Sequence, residues 1–75
     1  MPMNEDISSL KGRVTSAMND GRFEVTLDDG RILSCSLDKA MKRWSVVIAV
    51  EDIVTVEFQA DHPERARIVF RHLHK

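Results

Sequence analysis

Three cations fall within five residues, at Lys39, Lys42 and Arg43, and a tryptophan follows directly at Trp44. Cations this close together on one tight segment neutralise several neighbouring phosphates, and an indole ring stacks on an unpaired base whatever the base is. The competing reading is a solvated helical turn, with Trp44 packed over the end of the core beside Val46. Arg67 and Arg71 form a second basic pair. Alternation along Ala66 to Arg71 sets both opposite Ile68 and Phe70, so they are expected to project together with Val69 between them. Guanidinium groups fork onto phosphates or stack on bases; ordinary surface pairing with Glu57 or Glu64 is the alternative.

The remaining reactive side chains point to no reaction. His72 and His74 have a spacing that suits a metal ion, but no third ligand accompanies them and zinc requires three or four. Asp28 and Asp29 resemble a carboxylate pair, yet a turn accounts for both. Cys35 lies in a core phase with no histidine near it in the pattern, which predicts a buried, inert thiol. The sequence has no glycine-rich phosphate loop and no nucleophile motif. It therefore predicts no enzyme, no cofactor and no metal.

The elements that would position these groups are short strands. Phe23, Val25 and Leu27 alternate with Arg22, Glu24 and Thr26, the period of a half-buried strand, and Asp29-Gly30 then signals a hairpin. A two-residue loop would turn Leu33, Cys35 and Leu37 to water. A three-residue loop, Asp28 to Gly30, keeps them inside by setting Val25 opposite Leu33 and Phe23 opposite Cys35, with Gly30 left-handed. The same phase makes Phe23 a core residue. Before the hairpin, Leu10, Val14 and Met18 share the phase of Gly12 and Ser16, a strand in which Gly12 marks a bulge or a sharp coil. Asn19-Asp20-Gly21 turns the chain between the two strands. After the hairpin, Asp38 is placed to cap a short helix over Lys39 to Arg43. Val46 to Val50 is a continuous apolar run, either a buried strand or a loop that plugs the core. Val54, Val56 and Phe58 form a fourth strand. Asp61 to Glu64 reads as a loop, and Ala66, Ile68 and Phe70 as the core side of a fifth strand.

Five strands, a bent first one and a helical turn between the third and fourth predict an all-β, five-stranded oligonucleotide-binding (OB) barrel, with an SH3-like barrel as competitor. Closure removes the sheet edges that a small open sheet would expose. Seventy-five residues, 43% of them apolar, suit one domain over 1–75, with residues 1–9 and 72–75 expected to be flexible. One cysteine excludes an internal disulfide, no apolar run reaches the roughly 20 residues of a membrane span, and Met1 to Asp6 is unlike a targeting peptide. A cytoplasmic, monomeric protein that does not enter membranes is expected. The net charge is -1, but residues 1–38 carry seven acidic against four basic side chains, and residues 39–75 seven basic against five acidic. A face that binds a polyanion should come from the second half.

Leu10-Lys-Gly12-Arg-Val14, Phe23-Glu-Val25-Thr-Leu27-Asp-Asp-Gly30, Met41-Lys-Arg43, Asp52-Ile-Val54-Thr-Val56-Glu57 and Arg67-Ile-Val-Phe-Arg71, in this order and spacing, resemble bacterial translation initiation factor one, an S1-like OB barrel. The resemblance runs without a gap from about Ile7 to Arg71. It implies a non-enzymatic protein that binds the small ribosomal subunit where aminoacyl-tRNA enters. Such a protein touches decoding-region rRNA and a ribosomal protein and works with the other initiation factors. The RNA contacts then fall on Lys39, Met41, Lys42, Arg43, Trp44, Arg67 and Arg71. The chain departs from the family at Ala40 and Val47, where a basic residue is usual, at Ser45, where an aromatic is usual, and at Glu51, where Gly is usual. Two other readings stay open. One is a free single-strand RNA binder or chaperone, which needs an exposed aromatic platform that the core phases of Phe23 and Phe58 do not provide. The other is a diverged paralogue whose barrel binds protein.

Overall fold

The turn chemistry at Asp28 to Gly30 fixes the register of the central hairpin. In the computed structural model, which describes residues 7–18, 20–45 and 47–72, β2 (Phe23–Leu27) and β3 (Ile32–Leu37) pair with Val25 opposite Leu33 and Phe23 opposite Cys35. The Leu27 amide donates to the Arg31 carbonyl at 2.7 Å, the Gly30 amide donates to the Leu27 carbonyl at 2.9 Å, and Gly30 sits at φ +94°. A Cβ disfavours that conformation, which is why glycine stands there. Asp29 accepts from the Arg31 guanidinium and amide, which holds its carboxyl below the usual range. The carboxylate is occupied by the turn.

The five strands close into a barrel in the order β1-β2-β3-β5-β4, as the strand pattern predicts. The first strand, β1 (Ile7–Ala17), makes closure possible by pairing on both sides. Its first half lies against β4 (Ile53–Gln59) and its second half against β2, with Gly12 opposite both Leu27 and Val54. At Gly12 a Cβ would stand 2.6 Å from Val25 Cγ1 and 2.7 Å from the Thr26 carbonyl oxygen. Only glycine lets the neighbouring strand approach this closely. The bulge lies further on, at Thr15, where the register steps from Val14 opposite Val25 to Ser16 opposite Glu24. One extra residue reverses the side-chain phase, so Met18, expected in the core, is 43% exposed. Ile7 to Ser9, expected to be flexible, are paired with Gln59 to Glu57; residues 1–6 lie outside the described residues.

The last strand, β5 (His62–His72), begins inside the segment expected to be a loop. Its ladder with β4 is interrupted between Gln59 opposite His62 and Glu57 opposite Arg67, and Pro63, which has no N–H to donate, falls in that interruption. A second bulge sits at Val69, because Ile68 is opposite Val56 but Phe70 is opposite Thr55. Phe70 is consequently turned outward and 56% exposed, where alternation predicts core. A parallel contact, Ser36 to Arg67 and Leu37 to Ile68, completes the barrel.

Val14, Val25, Val54, Val56 and Ile68 are fully buried, each worth about 1.5 to 3 kcal/mol over leaving it in water. Phe58 is buried and Phe23, half-buried, packs against the same core. Cys35 lies among them with no exposure, and burial pushes its thiol up to about 11. The burial of the thiol is what its core phase predicts. His72 belongs to β5, and its Nε2 lies 2.7 Å from Thr55 Oγ1; His74 lies outside the described residues. Among the described residues no cluster of His, Cys, Asp or Glu could hold a metal ion, and no helix is long and apolar enough to cross a membrane.

Candidate nucleic-acid interface

The short helix α1 (Lys39–Arg43) starts where Asp38 caps it, its carboxylate accepting from the Ala40 amide at 3.2 Å. Met41 is only 6% exposed and joins the core. The other faces of so short a turn must point outward, and Lys39, Lys42 and Arg43 are all exposed. Among the described residues none of the three has a carboxylate partner or any hydrogen bond from its side chain. The structure thus brings together three free cations on one turn.

Trp44 ends the helix, its amide donating to the Ala40 carbonyl at 3.1 Å, and Ser45 follows at φ +56°. The indole is 77% exposed. It does not cover the core, and Val46, its expected packing partner, lies outside the described residues. Beside it, Ala40, Met41, Trp44, Val69, Phe70 and Arg71 line a shallow, largely apolar cleft. Phe70 holds its ring edge-on to His72 at 4.8 Å. Strand alternation conceals Phe70, and no feature of composition marks the bulge at Val69 that exposes it.

The described part of the apolar run after Trp44, residues 47–50, is a loop and not a strand. Of these described residues only Ile48 plugs the core, at 8% exposure, while Val47 and Val50 stand out at 75% and 47%. The loop closes at Glu51, whose φ of +82° lies in the left-handed region. A side chain there costs about 1 to 2 kcal/mol that glycine would not.

Arg67 and Arg71 are placed differently from the α1 cations. Arg67 Nη1 donates to Asp38 Oδ1 at 2.9 Å and its Nη2 to Glu57 Oε1 at 3.3 Å. Arg71 Nε donates to Asp52 Oδ2 at 2.9 Å, and the same oxygen accepts from the Ala49 amide at 2.9 Å. The Val69 bulge puts the two arginines out of phase, so they do not project as a pair. Glu57 is the expected partner of Arg67, whereas Glu64 contacts His62 instead. Chemically, the site offers unneutralised cations next to an exposed indole and an apolar cleft, a combination suited to phosphates with unpaired bases.

Known proteins resemble this chain over nearly its full length. Residues 1–75 match the family described as translation initiation factor 1A / IF-1. Translation initiation factor IF-1 of Chlamydia felis is 33% identical over 72 residues, covering 96% of this chain and 99% of the relative. Translation initiation factor IF-1 1 of Burkholderia pseudomallei is 34% identical over 68 residues, 91% of this chain and 77% of the relative. The solution structure of translation initiation factor one from the Wolbachia endosymbiont of Brugia malayi superimposes with a TM-score of 0.75 at 25% identity, covering 93% of this chain and 82% of that one. YjeQ from Thermotoga maritima, with a TM-score of 0.74 at 20% identity over 24% of its own length, shares the fold alone. The full-length family match and the matching OB barrel place this chain in the translation initiation factor 1A / IF-1 family.

Proposed function

We propose that the protein acts in translation initiation by binding the small ribosomal subunit at its aminoacyl-tRNA entry and decoding site. There it contacts decoding-region RNA and a ribosomal protein and works alongside the other initiation factors, as a cytoplasmic monomer with no catalytic step. The observation that carries this reading is the set of three unpartnered cations, Lys39, Lys42 and Arg43, displayed on α1. A cation already paired to a carboxylate must exchange it for a phosphate, whereas a free one loses only water and counterions. Family membership supplies the context. Trp44 adds a stacking surface one position before Ser45. Met41 anchors the turn from below, with an edge in the cleft. Arg67 and Arg71 enter as lesser contacts, since each already holds a carboxylate.

Chemical modification of purified small subunits tests the reading. Saturating protein should protect a discrete set of decoding-region nucleotides, and variants lacking the α1 cations should not. Absence of any protection at low salt contradicts it. The exposed pair Trp44 and Phe70 favours a second reading, free single-strand RNA binding. In that case short oligonucleotides would quench Trp44 fluorescence as strongly as subunits do, with no preference for decoding-region RNA.

A further inference from the structure

The segment between Asp38 and Asp52 carries α1, its three free cations, Trp44 and the exposed loop, and both of its ends are tied to the same strand in the same way. At the start, Arg67 of β5 donates to Asp38 Oδ1 while Asp38 Oδ2 accepts from the Ala40 amide. At the far end, Arg71 of β5 donates to Asp52 Oδ2, which also accepts from the Ala49 amide. Each tie therefore runs from an arginine of β5 through an aspartate to a backbone amide inside the segment. The backbone of each aspartate is fastened to the barrel as well. The Asp38 amide donates to the Ile68 carbonyl at 3.0 Å, and the Val14 amide donates to the Asp52 carbonyl at 2.9 Å. Both carboxylates are largely sheltered, with side-chain exposures of 24% for Asp38 and 14% for Asp52. Water competes for them less than for the surface pair of Arg13 and Glu51.

We propose that Arg67 and Arg71 are positioning residues, a two-point clamp that holds the segment between Asp38 and Asp52 on β5 so that the cations of α1 and Trp44 are presented in one fixed arrangement. This rests on the RNA-binding reading and reassigns the two arginines within it. A segment free to move would have to be ordered on binding, at a cost in affinity. The clamp removes that cost before the partner arrives. The free cations meet the phosphates, and the arginines meet only the protein.

Salt dependence separates the two roles. The logarithm of the association constant falls with the logarithm of salt concentration by roughly 0.7 to 0.9 per phosphate neutralised. Titrating small subunits over a salt series, Arg71→Ala and Arg67→Ala should each weaken binding by roughly three- to ten-fold with the slope unchanged. Asp52→Ala should weaken it by a similar factor. A phosphate-contacting Arg71 predicts the reverse sign for Asp52→Ala, tighter binding, because the competing carboxylate is gone. A slope lower by about one contact in either arginine variant, or tighter binding by Asp52→Ala, overturns the proposal. Should an alanine variant fail to fold, Arg71→Lys keeps the charge and loses the fork, and it should show the same weakening with the same slope. Amide hydrogen exchange without any subunit provides an independent reading. Ala49 should exchange faster in Arg71→Ala, and Ala40 faster in Arg67→Ala. Unchanged exchange overturns the clamp itself, whereas a wild-type protein that fails to bind subunits overturns the RNA-binding reading while leaving the exchange result to report on the clamp.

Discussion

The basic side chains of α1 and two arginines of β5, Arg67 and Arg71, have the same charge and nearly opposite situations. On α1, a five-residue helix with one side buried through Met41, the cations Lys39, Lys42 and Arg43 project outward and meet no carboxylate among the described residues. On β5, Arg67 and Arg71 lie along a strand whose neighbours bring Asp38, Glu57 and Asp52 within reach, and both are fastened. A count of basic residues treats the two regions alike. Binding does not, because the electrostatic gain from a phosphate depends on what the cation held before. The difference explains how a chain of net charge -1 retains a face suited to a polyanion. Arg13, Arg22, Arg31, Arg67 and Arg71 hold partners within the fold; of the described cations without one, Lys39, Lys42 and Arg43 share a single turn, whereas Lys11 lies on β1 and Arg65 on β5.

Charge reversal should produce the largest effect. Lys42→Glu combined with Arg43→Glu should abolish saturable binding to small subunits while the melting temperature stays within a few degrees of wild type. A comparable loss of stability would break the comparison, since these cations hold no partner among the described residues. Truncation of the indole comes next. Trp44→Ala should cost about 1 to 3 kcal/mol of RNA affinity, the worth of one stacked base, and leave stability unchanged because the ring is exposed. Asp38→Ala should behave in the opposite way. It removes the cap of α1 and a partner of Arg67 and should lower unfolding stability by about 1 kcal/mol, whereas Lys39→Ala next door should lower it by none that denaturant titration resolves. The smallest effect is a gain. Glu51→Gly relieves the left-handed residue at the end of the loop and should raise stability by roughly 0.5 to 1 kcal/mol, without altering the salt dependence of binding.

Much of the scaffold is legible in the sequence because local rules govern it. The hairpin register follows from Asp28-Asp29-Gly30 and the need to bury Cys35, and the start of α1 follows from Asp38. The close packing at Gly12 announces itself through a glycine inside a strand. The two bulges are not legible, since a bulge inserts one ordinary residue and leaves no mark in composition. Thr15 and Val69 each reverse the side-chain phase of the residues after them, which is why alternation misplaces Met18 and Phe70. The run from Val46 to Val50 has the composition of a buried strand, yet of its described residues only Ile48 is inside. Its neighbours Ser45 and Glu51 are left-handed, and no residue type there signals it. For the candidate interface, the α1 cations and Trp44 stand out by spacing alone. The state of Arg67 and Arg71 is only partly legible: Glu57 is the expected partner of Arg67, but Asp38 lies 29 residues away and reaches it through the β3–β5 contact, and Asp52 lies 19 residues from Arg71 and reaches it through the β4–β5 ladder.

The most direct test of the division between free and fastened cations is the salt dependence of binding to purified small subunits, for the wild-type protein and for the combined variant Lys42→Ala, Arg43→Ala. Loss of two phosphate contacts predicts weaker binding together with a shallower dependence, by roughly 1.4 to 1.8 in the logarithmic slope. A variant that binds with the wild-type slope would show that α1 meets no phosphate, and would contradict the assignment of the interface to that turn.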